Sequence, residues 1–95
     1  MESNLENMKL LLEEQHDFPG PYTFKIVGPN TEEWQQRVIS SASDVLGNIK
    51  DMVGTKTSGG AHYVSLTIDA VVQDAEQVLA VYDVLKKIED VKMLI

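Results

Sequence analysis

Ninety-five residues, 43% of them hydrophobic and 24% charged, make one small globular unit that buries a little over roughly 60% of the surface its unfolded chain exposes. Fifteen acidic against eight basic residues leave a net charge of −7, which sets the chain's own field against nucleic acid and anionic membranes. The absence of cysteine excludes disulfides, thiol chemistry and zinc–thiolate sites.

Residues 1–17 read as a helical extension ahead of the main domain. Ser3 and Glu6 stand at capping-box spacing, in which each side chain satisfies a free backbone N–H of the first turn. Leu5, Met8 and Leu12, with Leu11 beside them, recur on one stripe. This helix is expected either to pack that stripe on the domain or to swap to a partner chain. Its acidic start, Glu2 and Glu6, has neither the basic residues nor the apolar core of a secretory signal, and runs such as Leu10 to Leu12 are far too short to span a membrane. A cytoplasmic location is the expectation. Phe18-Pro19-Gly20-Pro21 ends the helix, because each proline drives the residue before it out of the helical region.

Residues 18–95 follow as a single domain. From Tyr22 to Val27, Tyr22, Phe24 and Ile26 alternate with Thr23, Lys25 and Val27, the period of a strand. Gly28-Pro29-Asn30 turns the chain into a helix that begins at Asn30 or Thr31, with Glu32 and Glu33 at its positive end. Trp34, Val38, Ala42, Val45 and Leu46 follow helical spacing, and Gly47 sits where a helix stops. Residues 48–57 form a weaker strand, with Ile49, Asp51 and Val53 alternating with Lys50 and Met52; its charge and Gly54 suit an edge position. Thr57 to Ala61 is a hairpin loop. His62 to Val71 is the clearest strand, with Val64, Leu66 and Ile68 on one side and Tyr63, Ser65 and Thr67 on the other. The last helix opens at Asp74 with Gln77 three residues on, and Val78, Tyr82, Leu85 and Ile88 make its stripe. Val91 to Ile95 is a short final strand.

Strand, helix, strand, strand, helix, strand is the split βαβ layout. It predicts an α+β fold: a ferredoxin-like βαββαβ two-layer sandwich, with a four-stranded antiparallel sheet, helices on one face and the extra N-terminal helix. The first and third strands should be central, with the fourth beside the first. Phe24, Ile26, Val64, Leu66 and Ile68 are expected under the helices together with Val91 and Met93. Thr23, Lys25, Val27, Tyr63, Ser65, Thr67, Lys92 and Leu94 are expected on the bare face.

That bare face is the leading candidate surface. Lys25, Tyr63, Ser65 and Lys92 are its polar members, and they could converge on an anion or a planar ligand. Val27, Leu94 and Tyr63 are more apolar than a wetted surface needs, which points to a homodimer or another protein as partner. Nucleic acid is disfavoured: RNA-binding sheets stack bases on several aromatics, and here Tyr63 is the single candidate on an acidic chain. Gly54 to Gly60 superficially suggests a phosphate cradle, but it leads into a strand where a phosphate loop needs a helix. His16 and His62 stand apart, without further donors at metal-ligand spacing. Ser40, Ser41, Ser43 and Ser65 lack a nucleophile motif. The acidic residues at 13, 14, 32, 33, 74 and 76 read as helix faces and caps. No catalytic residue, metal or cofactor is expected, and the domain reads as non-enzymatic.

Phe18-Pro19, then Pro21 through Gly28, the segment Ser58 to Ile68 with Tyr63 and Ser65, and Tyr82, Ile88 and Val91-Lys92-Met93-Leu94 together resemble the YbeD-like family of small bacterial proteins, which carries a domain-of-unknown-function label. The resemblance spans about residues 18–95. It departs at His62, where the family hairpin has Lys or a similar polar residue, at Ala61, where glycine is common, and in the longer N-terminal extension. It implies a ferredoxin-like fold similar to ACT regulatory domains, which bind small effectors near the first strand-to-helix loop, often at a dimer interface. For this chain the resemblance therefore implies Gly28 and Asn30 as effector-binding residues. The reading is a non-enzymatic regulatory or interaction domain that binds a small-molecule effector and dimerises. The alternative is nucleic-acid binding through the open sheet face.

Overall fold

In the computed structural model, which describes residues 2–58 and 60–95, the chain runs α1 (Glu2–Gln15), β1 (Gly20–Pro29), α2 (Glu32–Leu46), β2 (Val53–Ser58), β3 (Tyr63–Val72), α3 (Ala75–Lys86) and β4 (Met93–Leu94). The strands form one antiparallel sheet in the order β2-β3-β1-β4, so β1 and β3 are central, as a ferredoxin-like sandwich requires. The fold is α+β, with α1 added in front.

Side chains alternate across the two central strands. On β1, Phe24 and Ile26 are fully buried, and on β3 so are Leu66, Ile68 and Val72, with Val64 and Ala70 nearly so. Val38 and Ala42 of α2 and Val78, Val81 and Leu85 of α3 close over them. Each fully buried Leu, Ile, Val or Phe contributes about 1.5–3 kcal/mol. The helix stripes lie as expected, with Val81 as a further core member.

The helix ends follow from their local residues. Thr31 caps α2 by accepting from Trp34 N at 3.2 Å. Gly47 ends it at φ 82, a left-handed conformation that glycine adopts without a side-chain penalty, and its N–H donates to Ser43 O at 2.8 Å. Asp74 caps α3 by accepting from Gln77 N at 2.8 Å, while the Gln77 side chain accepts from Gln73 N at 2.7 Å and donates to Val45 O of α2 at 3.2 Å.

α1 lies against α3. Leu12 packs on the core, whereas Met8 and Leu11 of the same stripe stay about half exposed. The expected Ser3–Glu6 cap and the place of Leu5 fall outside the described side chains.

Two expectations are corrected. Residues 48–52 are not strand: Lys50–Met52 is a short 3-10 turn, and β2 starts at Val53. Ile49 is buried there because the turn folds it inward, which imitates strand alternation. The phase of the last strand is also reversed. Leu94 pairs with buried Ile26 and packs on the core, while Met93 pairs with Val27 and is 53% exposed. Asp90 has a positive φ of 67, so the chain enters β4 from a turn. Alternation counted from Val91 therefore fails at Met93.

Candidate functional site

Register decides which side chains share the bare face. Across β1 and β3, Lys25 stands opposite Thr67, Val27 opposite Ser65, and Pro29 opposite Tyr63. Lys56 of β2 also stands opposite Ser65, and Met93 of β4 opposite Val27. Ile95 continues beyond β4: Lys25 N donates to Ile95 O at 3.0 Å, and Ile95 N donates to Lys25 O at 2.8 Å. One row, Lys56, Ser65, Val27 and Met93, thus crosses all four strands. A second, Thr67, Lys25 and Ile95, lies beside it. Side chains directly opposite one another are about 4.5–5.5 Å apart at Cβ, so each row is a continuous contact surface.

Lys92 joins this face from the turn before β4. Its N–H donates to Val27 O at 2.8 Å, and its amine lies 5.3 Å from the centroid of the Tyr63 ring. At that range the cation is attracted to the negative face of the ring. Lys25, Tyr63, Ser65 and Lys92 therefore share the bare face. Ser65 Oγ is covered by its neighbours and has no hydrogen-bond partner among the described residues. Thr23 Oγ1 donates to Asp69 Oδ1 at 2.6 Å, which engages the acidic residue of the central strands on this face. Met93, Ile95 and Val71 are exposed apolar members.

Sequence reasoning missed Lys56, Met93 and Ile95 as members of this surface. The inward Val53 was the usable signal for Lys56, since a residue three positions along a strand points the opposite way. Met93 and Ile95 depend on the turn at Asp90, which no local pattern announces.

Gly28 and Asn30 are placed elsewhere. Gly28 lies within β1, on the helix side, buried beneath Trp34. A β-carbon there would fall 2.1 Å from Trp34 Cζ2, so only glycine leaves room for the indole. Trp34 Nε1 donates to Glu89 O at 3.0 Å, joining β1, α2 and the turn after α3. Asn30 is tied to the β2–β3 hairpin: its N–H donates to His62 O at 3.1 Å and its Nδ2 to Ala61 O at 3.0 Å. Its Oδ1 accepts from Gln35 Nε2 at 3.3 Å. Ala61 is held in the left-handed region at φ 67, the conformation that favours glycine at this position.

A third region lies where α1 meets α3. Tyr22 and Tyr82 bring their hydroxyls to 3.2 Å, and the His16 ring lies tilted against Tyr22 with the ring centroids 4.9 Å apart. Burial, then the bond to Tyr22, pushes the Tyr82 phenol well above its ordinary value. A groove of about 470 Å³ runs alongside, lined by Lys9, Glu76 and Leu79 among others. Lys9 meets Glu76 at 3.2 Å, a hydrogen bond and attraction that raise the lysine pKa.

Among the described residues, no three His, Asp or Glu side chains gather closely enough to hold a metal ion. No helix among them is long and apolar enough to cross a membrane.

Residues 13–95 match the model of a family described as a protein of unknown function, DUF493. The chain is 34% identical over 89 residues to the UPF0250 protein YbeD of Escherichia coli O1:K1 / APEC, covering 93% of this chain and 100% of that protein. The same values hold for the YbeD proteins of Shigella boydii serotype 18 and Escherichia coli O157:H7.

Proposed function

This chain belongs to the DUF493 family of proteins of unknown function, and we propose that it is a non-enzymatic interaction domain whose working surface is the bare face of its sheet. One observation carries this reading. The row Lys56, Ser65, Val27 and Met93 crosses all four strands on the side away from the core, with Lys56 and Met93 exposed and Ser65 and Val27 half-buried, and is flanked by Ile95 and by the Lys92–Tyr63 pair. A surface that mixes lysine amines, a ring and exposed aliphatic groups is built for contact with another polypeptide. Two copies opposed face to face about a two-fold axis would bring lysines toward lysines, so the partner favoured here is a different protein surface.

The effector reading at Gly28 and Asn30 draws less support. The Trp34 ring lies against Gly28, and the Asn30 side chain is hydrogen-bonded on both its nitrogen and its oxygen.

Site-specific photo-crosslinking in cells tests the proposal. A benzophenone amino acid at Met93 is expected to give protein adducts, and the same group at exposed Gln36 of α2 is not. Adducts at Gln36 alone, or at neither position, rule the face out.

A further inference from the structure

The two sides of the molecule treat their cations differently. Of the eight Lys and Arg residues, the four on or capping the α-helices are all ion-paired, while Lys50, on the 3-10 turn after α2, is exposed and in no ion pair among the described residues. Lys9 meets Glu76 at 3.2 Å, Arg37 meets Glu33 at 3.0 Å, and Lys86 and Lys87 reach Asp83 at 3.4 and 3.1 Å. Lys25, Lys56 and Lys92 on the bare face make no ion pair among the described residues, and Lys92 rests on a ring instead. Asp69, the acidic residue of the central strands, is hydrogen-bonded by Thr23.

Resting on the interaction-domain reading, we infer that the bare face takes an acidic amphipathic helix of a partner protein. Three features define the fit. Lys56 and Lys25 are separated by two strand spacings and two residues, about 12 Å between α-carbons. Carboxylates seven residues apart on a helix lie about 10.5 Å apart on one side, a span that bridges the two amines. Ser65 and Thr67 of β3 lie between the two amines with Val27 beside them, and Met93 and Ile95 lie one strand beyond Lys25, where they receive the apolar residues of the turn that follows the second carboxylate. The chain's overall negative charge opposes approach, so the attraction is local, acting within about 8 Å at physiological salt.

RNA would meet the same lysines. It would find a single ring, Tyr63, for base stacking, and would leave Val27, Met93 and Ile95 facing sugar and phosphate. The aliphatic groups decide for polypeptide.

Fluorescence polarisation on the full chain tests the inference, with a labelled 14-residue helical peptide carrying Glu seven residues apart and Leu in the turn after the second Glu. The comparison probes are the same peptide with Gln for Glu and a 14-nucleotide single-stranded RNA. Amide chemical shifts record where each binds. The acidic peptide is expected to bind at the sheet face, at least tenfold more tightly than its Gln form. Lys25→Glu with Lys56→Glu should remove binding, while Lys86→Glu on the helix side should not. The same shift spectra establish that the variants are folded. Equal binding of the Gln peptide, tighter binding of RNA, or self-association that excludes the peptide overturns the inference and leaves the sheet-face reading intact. Shifts confined to the groove between α1 and α3 overturn both. No binding of the acidic peptide overturns the inference.

Discussion

Val27 and Gly28 are neighbours on one strand and face opposite worlds. Gly28 has the Trp34 indole against its α-carbon, and Asn30 in the turn that follows is tied to the hairpin by two hydrogen bonds and to Gln35 of α2 by a third. Val27 looks out between Ser65 and Met93, near a lysine that lies over a ring and a hydroxyl without a hydrogen-bond partner among the described residues. The difference teaches where stability and function are divided in a small domain. A backbone whose groups are all engaged resists change and has little left to offer a ligand. A surface with unpaired amines and half-exposed aliphatics contributes little to folding and is available for binding.

The most forceful way to break this contrast is to remove the indole. Trp34 is 4% exposed and links three elements. Trp34→Ala deletes its packing against Gly28 and leaves the Glu89 carbonyl without its donor. Urea denaturation should show a loss of about 3–5 kcal/mol, a large share of the stability of a domain this size. A loss below about 1 kcal/mol would mean that the turn is not the anchor described here.

The reciprocal change is Gly28→Ala. The new methyl would meet the indole at 2.1 Å, so the ring must shift, and overpacking of this kind costs about 1–3 kcal/mol. The sharper form is the double mutant. With Trp34 already replaced by alanine, Gly28→Ala should cost far less, because the clash has gone. Equal costs in the two backgrounds would assign the effect of Gly28 to its backbone and not to the ring.

How much of this could be read from the chain itself depends on how local the cause is. The alternation on β1 and β3 and the stripes of α2 and α3 are legible because each element buries one face, and burial writes a period of two or 3.6 into the residues. The Thr31 and Asp74 caps are legible because a cap is a contact between residues three apart. The phase of β4 is not. Its two residues carry no period, and their orientation follows from the turn at Asp90 and from bonds to Lys25 and Val27 far back in the chain. Trp34 shows the same limit from another side. Its spacing marks it as a core residue of α2, but nothing in the spacing says that its ring lies on Gly28. On the candidate surface, Lys25, Tyr63 and Ser65 follow from strand alternation. Lys56 follows from the same alternation once the strand is carried from Val53 past Gly54.

The smallest expected effect lies on the open side of the contrast. Lys92→Ala removes an amine that sits 5.3 Å from the Tyr63 ring, with both residues exposed. Such a pair is worth about 0.5–1 kcal/mol at exposed sites, which for a domain of this length moves the melting temperature by no more than roughly 4–8 °C. Its effect on a bound acidic helix should be larger than its effect on folding, because one of the three amines that would face the carboxylates is gone while the sheet keeps its Lys92 N–H bond to Val27 O. Thermal melts and peptide titrations of the same variant separate the two quantities. A stability loss approaching that of Trp34→Ala would show that the Lys92–Tyr63 pair holds the sheet together, and the division between a closed turn and an available face would then fail on its open side.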